Sequence, residues 1–236
     1  MTPNQINAFD AGQRLTAVRQ RLDRACRAAG RSPGDVRLLA VSKRHPPQAI
    51  RDLHALGHSA FGESYVNEGV DKIELLSGLD LEWHLVGPMQ SNKTRAAAGH
   101  FDWVHSIDRI RIARRLNDQR PEDMPLLNVL VQVNVDDEPQ KSGCSPDDIG
   151  ELADFIGTCP RLTLRGLMAI PEQKDSQDEQ RRSFRRLHDL FIELRESHPG
   201  IDTLSAGMSG DLEAAIAEGS TMVRVGTALF GSRDEP

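Results

Sequence analysis

Lys43 stands at the end of a short apolar segment, VRLLAVSK, which covers residues 36–43. An amine partly removed from water at such a position has a lowered pKa, and its neutral form can attack a carbonyl carbon to give a Schiff base. A solvated lysine at the end of a strand is the alternative interpretation, and the residues around Lys43 taken alone favour it.

Arg224 is a second candidate because it interrupts the apolar stretch Met222-Val223-Arg224-Val225. A guanidinium among buried strand residues is unfavourable unless it is paired or hydrogen-bonded. A structural ion pair with a carboxylate elsewhere in the protein is one explanation, and contact with a ligand atom is the other. The stretch itself does not distinguish them.

Small and hydroxyl-bearing residues lie at two places near the end of the chain. Gly226 and Thr227 follow Arg224, and Ser209 and Gly210 precede a predicted helix. Free backbone N–H groups at a helix start bind anions, and small residues let a phosphate approach the backbone. Turn chemistry, with Ser209 as an N-cap, is the alternative. An amine, an arginine and such a phosphate cup on one face suit pyridoxal phosphate.

Eight short apolar segments alternate with helical stretches. They are residues 36–43, 60–64, 81–87, 103–108, 128–134, 164–170, 203–208 and 221–231. A helix with apolar residues from Leu15 to Ala29 precedes them, and Gly30 and Pro33 mark its end. Eight strands and intervening helices in about 200 residues predict a single (β/α)₈ barrel with an extra N-terminal helix. A doubly wound sheet is the alternative, but no G-x-G-x-x-G follows the first segment.

In such a barrel the functional site lies at the carboxyl ends of the strands. Lys43, Arg224 and both predicted phosphate loops fall at these ends. Ser64 ends the second segment and His84 lies within the third, and both are further candidates for the pocket.

Composition narrows the class of protein. The chain has 236 residues and a net charge of −6, which disfavours broad binding to nucleic acid or to anionic membranes. We find no domain boundary, and therefore expect one domain over residues 1–236. Cys26, Cys144 and Cys159 are too widely spaced for a disulfide framework or a structural zinc site. With no secretory signal and no apolar run of about 18 residues, we expect a cytoplasmic protein without a metal.

Six collinear segments carry a resemblance to a known family. They are AVSK at 40–43, FGESYVNEGVDK at 61–72, WHLVGPMQSNK at 83–93, KSG at 141–143, RGLMAI at 165–170 and GMSGDLEAAIAEGSTMVRVGTALFG at 207–231. Together they resemble the pyridoxal phosphate homeostasis protein family over nearly the whole chain. The resemblance implies a fold-type III, alanine-racemase-like barrel that binds pyridoxal 5′-phosphate (PLP).

The resemblance also implies roles for individual residues. By motif position, Lys43 would form the internal aldimine with PLP, and Arg224 would face the pyridine nitrogen. The implied phosphate ligands are Ser209, Gly210, Gly226 and Thr227. The family usually has asparagine where this chain has Ser64, so any ligand contact made by that amide would be lost here.

The function implied is a non-catalytic one: the protein would hold PLP and help to balance its cellular concentration. We expect a monomer, with apo-enzymes that require PLP as recipients. Racemases of this fold take a second base, a tyrosine, from a C-terminal β domain. This chain ends five residues after Gly231 and has one tyrosine, Tyr65, so we expect that machinery to be absent.

Two other functions stay open from the sequence. A PLP-dependent amino-acid racemase, or a related enzyme, would need Tyr65 as its second base. A Schiff-base aldolase without a cofactor would explain Lys43, but it would leave Arg224 and the phosphate loops without a purpose.

Overall fold

The computed structural model describes residues 8–138, 140–172 and 176–231. Within these ranges, eight parallel strands close into a barrel in chain order, with the last strand paired to the first. The strands are β1 (Arg37–Val41), β2 (Ala60–Glu63), β3 (Glu82–Leu85), β4 (Trp103–Ile107), β5 (Leu127–Gln132), β6 (Leu162–Met168), β7 (Thr203–Ser205) and β8 (Met222–Val225). The helices are α1 (Ala8–Ala28), α2 (Pro47–Ala55), α3 (Val66–Leu75), α4 (Thr94–His100), α5 (Ile110–Gln119), α6 (Ile149–Gly157), α7 (Gln177–Ser197), α8 (Leu212–Ala217) and α9 (Thr227–Phe230). The predicted (β/α)₈ barrel with an N-terminal helix is confirmed.

Helix α1 buries one apolar stripe. Leu15, Val18, Leu22 and Cys26 recur at steps of three or four residues, and all four side chains are buried. The helix packs against α8 and α9, the last two helices of the described chain. Gly30 follows it with a φ of 69°, in the left-handed region that glycine adopts without steric cost. The predicted end of this helix is therefore confirmed.

The strands are buried on both faces. In β2, β4 and β8 every residue is buried. One face of each strand points into the barrel, and the other face contacts the surrounding helices. Apolar residues can therefore occupy consecutive positions, which is the pattern that the sequence shows.

Strands β7 and β8 are much shorter than the apolar segments that predicted them. The segment 203–208 contributes only β7, and the segment 221–231 contributes β8 and then the short helix α9. Leu229 and Phe230 are apolar because they are buried in α9, which packs against α1. The hydrophobic run thus continues past the strand for a different reason. The early strand ends leave room for the loops in which we expected phosphate ligands.

Cysteines and possible metal ligands are dispersed. Cys26, Cys144 and Cys159 are buried and carry free thiols. In the described ranges, no group of three or more His, Cys, Asp or Glu side chains is arranged to hold a metal ion. None of the helices in that part of the chain combines the length and the apolar character that crossing a bilayer requires.

Candidate functional site

Lys43 lies at the carboxyl end of the barrel, two residues beyond the end of β1, and its side chain is half-buried. Strand β1 lies between β2 and β8, so the ends of those two strands flank the amine. The loop after β8 passes close to the end of β1: a Cβ on Gly226 would lie 3.2 Å from the carbonyl oxygen of Val41. The fold therefore places one of the predicted phosphate loops beside the candidate nucleophile.

Arg224 lies inside the barrel on β8 and is only 5% exposed. Its Nη1 donates to the carbonyl oxygen of Ser205 at 2.7 Å and to the Ser205 hydroxyl at 2.8 Å. Its Nη2 donates to the carbonyl oxygen of Ala169 at 2.9 Å. In the described part of the chain no carboxylate forms an ion pair with Arg224, and its Nε donates no hydrogen bond. Of the two explanations open from the sequence, the ion pair is therefore not the one that the structure shows.

The same burial affects the charge of Arg224. Desolvation lowers the pKa of the guanidinium to about 10, and the negative charge of Asp211 opposes that shift. The group still carries its proton near neutral pH. A charged donor is thus fixed in the barrel by neutral oxygens from β7 and from the end of β6.

Two loops of small residues meet beside this arginine. Ser209 and Gly210 lie between β7 and α8, and Gly226 and Thr227 lie at the start of α9. Strands β7 and β8 are paired, so the two loops are neighbours. Across the described residues, the backbone N–H groups of these four residues donate no hydrogen bond to the protein. Unpaired N–H groups beside glycines form a concavity suited to a phosphate.

Helix α1 holds the first of these loops in place. Arg21 Nη1 donates to the carbonyl oxygen of Ser209 at 2.7 Å. The same guanidinium forms a two-point contact with Glu213 in the first turn of α8, with Nη2 2.5 Å from Oε2. Sequence reasoning missed Arg21, because Arg21 and Glu213 are 192 residues apart and no local pattern links them.

His84 lies on β3 in register with Gly62 of β2, which pairs with Val41 at the end of β1. It is fully buried on β3, and its ring stacks on Trp103 with centroids 5.1 Å apart. Its Nε2 is 2.5 Å from Oε1 of Glu82, and its Nδ1 is 2.9 Å from Nε2 of His105. His84 is thus held by buried polar partners, and its contact with a ligand stays a prediction.

His105 continues a chain of hydrogen bonds across the barrel. Its Nδ1 is 3.1 Å from the Ser205 hydroxyl, which accepts from Arg224. The chain runs from Glu82 at the start of β3, through two histidines and a serine, to Arg224 on β8. His84, which we predicted near the ligand, is thus linked to Arg224 through two intermediates, His105 and Ser205.

The protonation states determine which atoms donate and which accept in this series of hydrogen bonds. Burial lowers the pKa of both His84 and His105 and keeps both rings neutral. Although burial opposes ionisation, the hydrogen bond from His84 and the positive charge of Arg37 lower the pKa of Glu82. The Glu82 carboxylate must accept, so His84 donates through Nε2 and accepts at Nδ1. His105 then donates through Nε2 and accepts the Ser205 hydroxyl at Nδ1.

Ser64 and Tyr65 lie at the rim of the barrel, directly after β2. Ser64 is half-buried, and a Cβ on Gly87 would come within 2.0 Å of its carbonyl oxygen, so the ends of β2 and β3 are in tight contact. Tyr65 is 50% exposed. Its hydroxyl accepts from Arg44 Nη2 at 3.3 Å, and the Arg44 guanidinium lies 5.7 Å from its ring centroid. The hydroxyl and the ring of Tyr65 therefore both contact Arg44 at the protein surface.

The chemistry of these groups defines what the site can hold. A half-buried amine can react with an aldehyde, and unpaired N–H groups with two hydroxyls can bind a phosphate. A charged guanidinium between them can donate to an aromatic nitrogen. Among the residues that the sequence nominated, the structure brings together Lys43, Arg224 and the loops of Gly210 and Gly226.

Comparisons with known proteins show which family the chain resembles. The family described as "Alanine racemase, N-terminal domain" matches residues 14–234. The pyridoxal phosphate homeostasis protein of Pseudomonas aeruginosa is 53% identical over 222 residues, covering 94% of this chain and 95% of that protein. The protein of the same name from Escherichia coli K12 is 52% identical over 228 residues, covering 95% and 97%.

Solved structures show the same fold. A structure of PipY from Synechococcus elongatus PCC7942 with PLP bound superposes with a TM-score of 0.82 at 37% identity, covering 94% of this chain and 100% of that one. An alanine racemase from Clostridium difficile 630 superposes with a TM-score of 0.71 at 14% identity, covering 92% of this chain and 57% of that one. The second likeness concerns the barrel fold alone.

Proposed function

Since the chain belongs to the pyridoxal phosphate homeostasis protein family, we propose that it binds PLP at the carboxyl end of its barrel. The observation that carries this proposal is the convergence of an amine, a charged arginine and two loops with unpaired N–H groups on one barrel face. The PLP-bound PipY structure, which covers this chain almost completely, supports the choice of ligand.

In this proposal each group has a separate task. The Lys43 amine adds to the aldehyde carbon of PLP and water leaves, so that an aldimine forms without any oxidant or reductant. The phosphate is held by Ser209, Gly210, Gly226 and Thr227 through backbone N–H groups and hydroxyls. Arg224 donates to the pyridine nitrogen through one of the two N–H groups, on Nε and Nη2, that the described protein does not use.

Arg224 is also the reason why we propose a protein that does not catalyse. Its guanidinium retains its proton, because its pKa stays near 10 even when buried. A pyridine nitrogen facing a cation does not take up a proton easily, which weakens PLP as an electron sink. Tyr65 is the candidate second base, and it is exposed and bound to Arg44. We infer a monomeric cytoplasmic PLP carrier whose recipients are apo-enzymes that need PLP.

The covalent step has a direct test. Purified protein loaded with PLP should absorb in the visible, and sodium borohydride should reduce the carbon–nitrogen double bond to a stable amine. Peptide mapping should then find the adduct on Lys43. Lys43→Ala should lose the band, while Lys93→Ala, which removes an amine bound to Asn67 on the same face, should keep it. A reduced adduct mainly on another lysine would overturn the assignment.

The absence of catalysis is tested by exchange of the α-proton. A general base contributes about 10²–10⁴ in rate. We therefore expect exchange of L- and D-amino acids in deuterated water to stay near that of free PLP. Exchange far above free PLP that disappears in Tyr65→Phe would establish the racemase-like alternative instead.

A further inference from the structure

Lys72 is a buried lysine at the end of the 61–72 motif, and the proposed binding step gives it no role. It lies on α3 and is only 5% exposed. Its Nζ donates three hydrogen bonds of 2.8 Å, to the Ser42 carbonyl oxygen, to Glu63 Oε1 and to Glu68 Oε1. All three donors of the ammonium are therefore satisfied. We call Glu63, Lys72 and Glu68 the charged cluster.

The charged cluster holds the backbone on both sides of Lys43. The carbonyl group of Ser42, which accepts from Lys72, belongs to the peptide bond that precedes Lys43. The N–H group of Arg44, which belongs to the peptide bond that follows Lys43, donates to Glu68 Oε1. Both peptide units next to the Lys43 Cα are therefore bound to one set of side chains.

Two more contacts restrict this segment. The Ser42 hydroxyl donates to Glu63 Oε1 at 2.6 Å, so the residue before Lys43 is held by its side chain as well. Arg44 has a φ of 62°, in the left-handed region that disfavours residues other than glycine. A segment in that conformation would relax if the contact with Glu68 were lost. The conformation around Lys43 is thus imposed by tertiary contacts.

Stability alone does not explain the charged cluster. Burial raises the pKa of Glu63 even though Lys72 lies beside it, which shows that its ionised form is costly here. Glu63 Oε2 is buried and has no hydrogen-bond partner within the described residues. Replacing a buried ion pair by apolar residues is often neutral or stabilising, so such pairs are better evidence for positioning than for stability.

We propose that Glu63, Lys72 and Glu68 are positioning residues that aim the Lys43 amine at the aldehyde of the bound ligand. The inference rests on the proposed function, because it assigns the charged cluster to the covalent step. The phosphate loops after β7 and β8 have no contact with the cluster among the described hydrogen bonds. Loss of the cluster should therefore impair Schiff-base formation and leave capture of the phosphate intact.

Glu68 is the residue to change, because its side chain is 26% exposed, whereas those of Lys72 and Glu63 are 6% and 0% exposed. Glu68→Ala removes the contacts with Arg44 and Lys72, and Glu68→Gln keeps an oxygen acceptor without the charge. The matched control is Glu74→Ala on the same helix; the Glu74 side chain is 67% exposed, and its ion-pair partner among the described residues is His100, at 3.5 Å.

Two ligands distinguish positioning of the Lys43 amine from binding of the phosphate. PLP can form the covalent adduct, whereas 4′-deoxypyridoxine 5′-phosphate has a methyl group in place of the aldehyde and cannot. We expect Glu68→Ala to weaken PLP binding and slow growth of the visible band by about tenfold, with Glu68→Gln in between. Binding of the deoxy analogue should change by less than about twofold.

Each outcome has a distinct meaning. Equal weakening of both ligands, or no change in either, would overturn the positioning role of the cluster. Failure of the unaltered protein to form a reducible adduct on Lys43 would instead overturn the proposed function, whatever the Glu68 variants do. Lys43→Ala supplies the reference, since it should lose the adduct and still bind the analogue.

Discussion

On the amine side of the barrel mouth, at the ends of β1 and β2, Lys43 is backed by buried charges. On the phosphate side, at the ends of β7 and β8, Ser209 and Gly226 offer backbone N–H groups directly. The amine sits on a long side chain, so its direction depends on how the backbone beneath it is held. Backbone donors need only a loop of the right shape. The two sides thus need different amounts of support.

Arg224 lies on the phosphate side, and the groups that hold it differ from those that hold the segment of Lys43. Neutral oxygens of Ser205 and Ala169 hold it, and Ser205 is bound to His105 and His84 in turn. The amine side pairs opposite charges, whereas this side keeps its imidazoles neutral by burial. Buried polar groups in a barrel can therefore be satisfied by pairing opposite charges or by staying neutral and hydrogen-bonded.

The largest effect should come from removing one charge on the amine side. Lys72→Met leaves Glu63 buried without its cation, which typically costs about 3–5 kcal/mol. The free energy of unfolding, measured by urea denaturation, should fall by that amount. The double variant Lys72→Met/Glu63→Leu, which removes both charges, should recover most of the loss. A single variant within about 1 kcal/mol of the parent would contradict the ionic description of this side.

Affinity on the phosphate side should depend on one hydroxyl. Loss of a hydrogen bond to a charged group costs about 1.5–3 kcal/mol, or roughly tenfold to over a hundredfold in affinity. Thr227→Val should therefore weaken PLP by that factor and leave pyridoxal, which lacks the phosphate, nearly unchanged. Equilibrium dialysis with both ligands measures this, and Thr227→Ser is the matched control. Equal weakening of both ligands would argue against a phosphate cup at this loop.

The neutral histidines should make stability depend on pH. Burial lowers the folded-state pKa of His84 and His105 from the ordinary value of 6.5, so below that pH the unfolded chain takes up protons that the folded chain refuses. The free energy of unfolding should then fall as pH drops below about 6.5, by at most about 1.4 kcal/mol per pH unit for each histidine.

His105→Gln tests that dependence, because it should reduce the slope between pH 6.5 and 5 by one histidine's share. Burial raises the pKa values of Glu63 and Asp211, so these groups change the free energy of unfolding with pH in the opposite direction. Subtracting the stability–pH curve of the variant from that of the parent cancels their contribution. His58→Gln is the reference, since burial lowers the pKa of His58 to about 4 outside the hydrogen-bond chain. An unchanged slope in His105→Gln beside a reduced one in His58→Gln would show that the chain carries charge.

The smallest effect should follow from loosening α1 at the phosphate side. Arg21 binds the Ser209 carbonyl oxygen and Glu213, and exposed ion pairs contribute about 0.2–1 kcal/mol. Arg21→Ala should weaken PLP and its deoxy analogue alike, by about two- to fivefold. Arg24→Ala on the same helix is the control. If Arg21→Ala bound both ligands as tightly as the parent, α1 would have no part in shaping the loop.

The sequence predicted the parts of this protein that depend on neighbouring residues. Consecutive apolar positions predicted buried strands, and Leu15, Val18 and Leu22 predicted the N-terminal helix, because both patterns repeat within a few residues. Counting the segments was enough to predict the barrel. The fold then places Lys43 and Gly226 at the same end, since the carboxyl ends of parallel strands meet there.

Partners that lie far apart in the chain were decided only by tertiary structure. The ring of His84 contacts His105 on the neighbouring strand β4, a partner that no local pattern identifies. His105 and Ser205 are 100 residues apart, and only closure of the barrel brings them together. No local pattern separates Lys72 from the other charged residues of its helix. Only the tertiary structure shows that it is buried and bound to the Ser42 carbonyl oxygen, next to Lys43. A periodic pattern records which face of an element is buried, whereas the partner on that face is set by which elements the chain packs together.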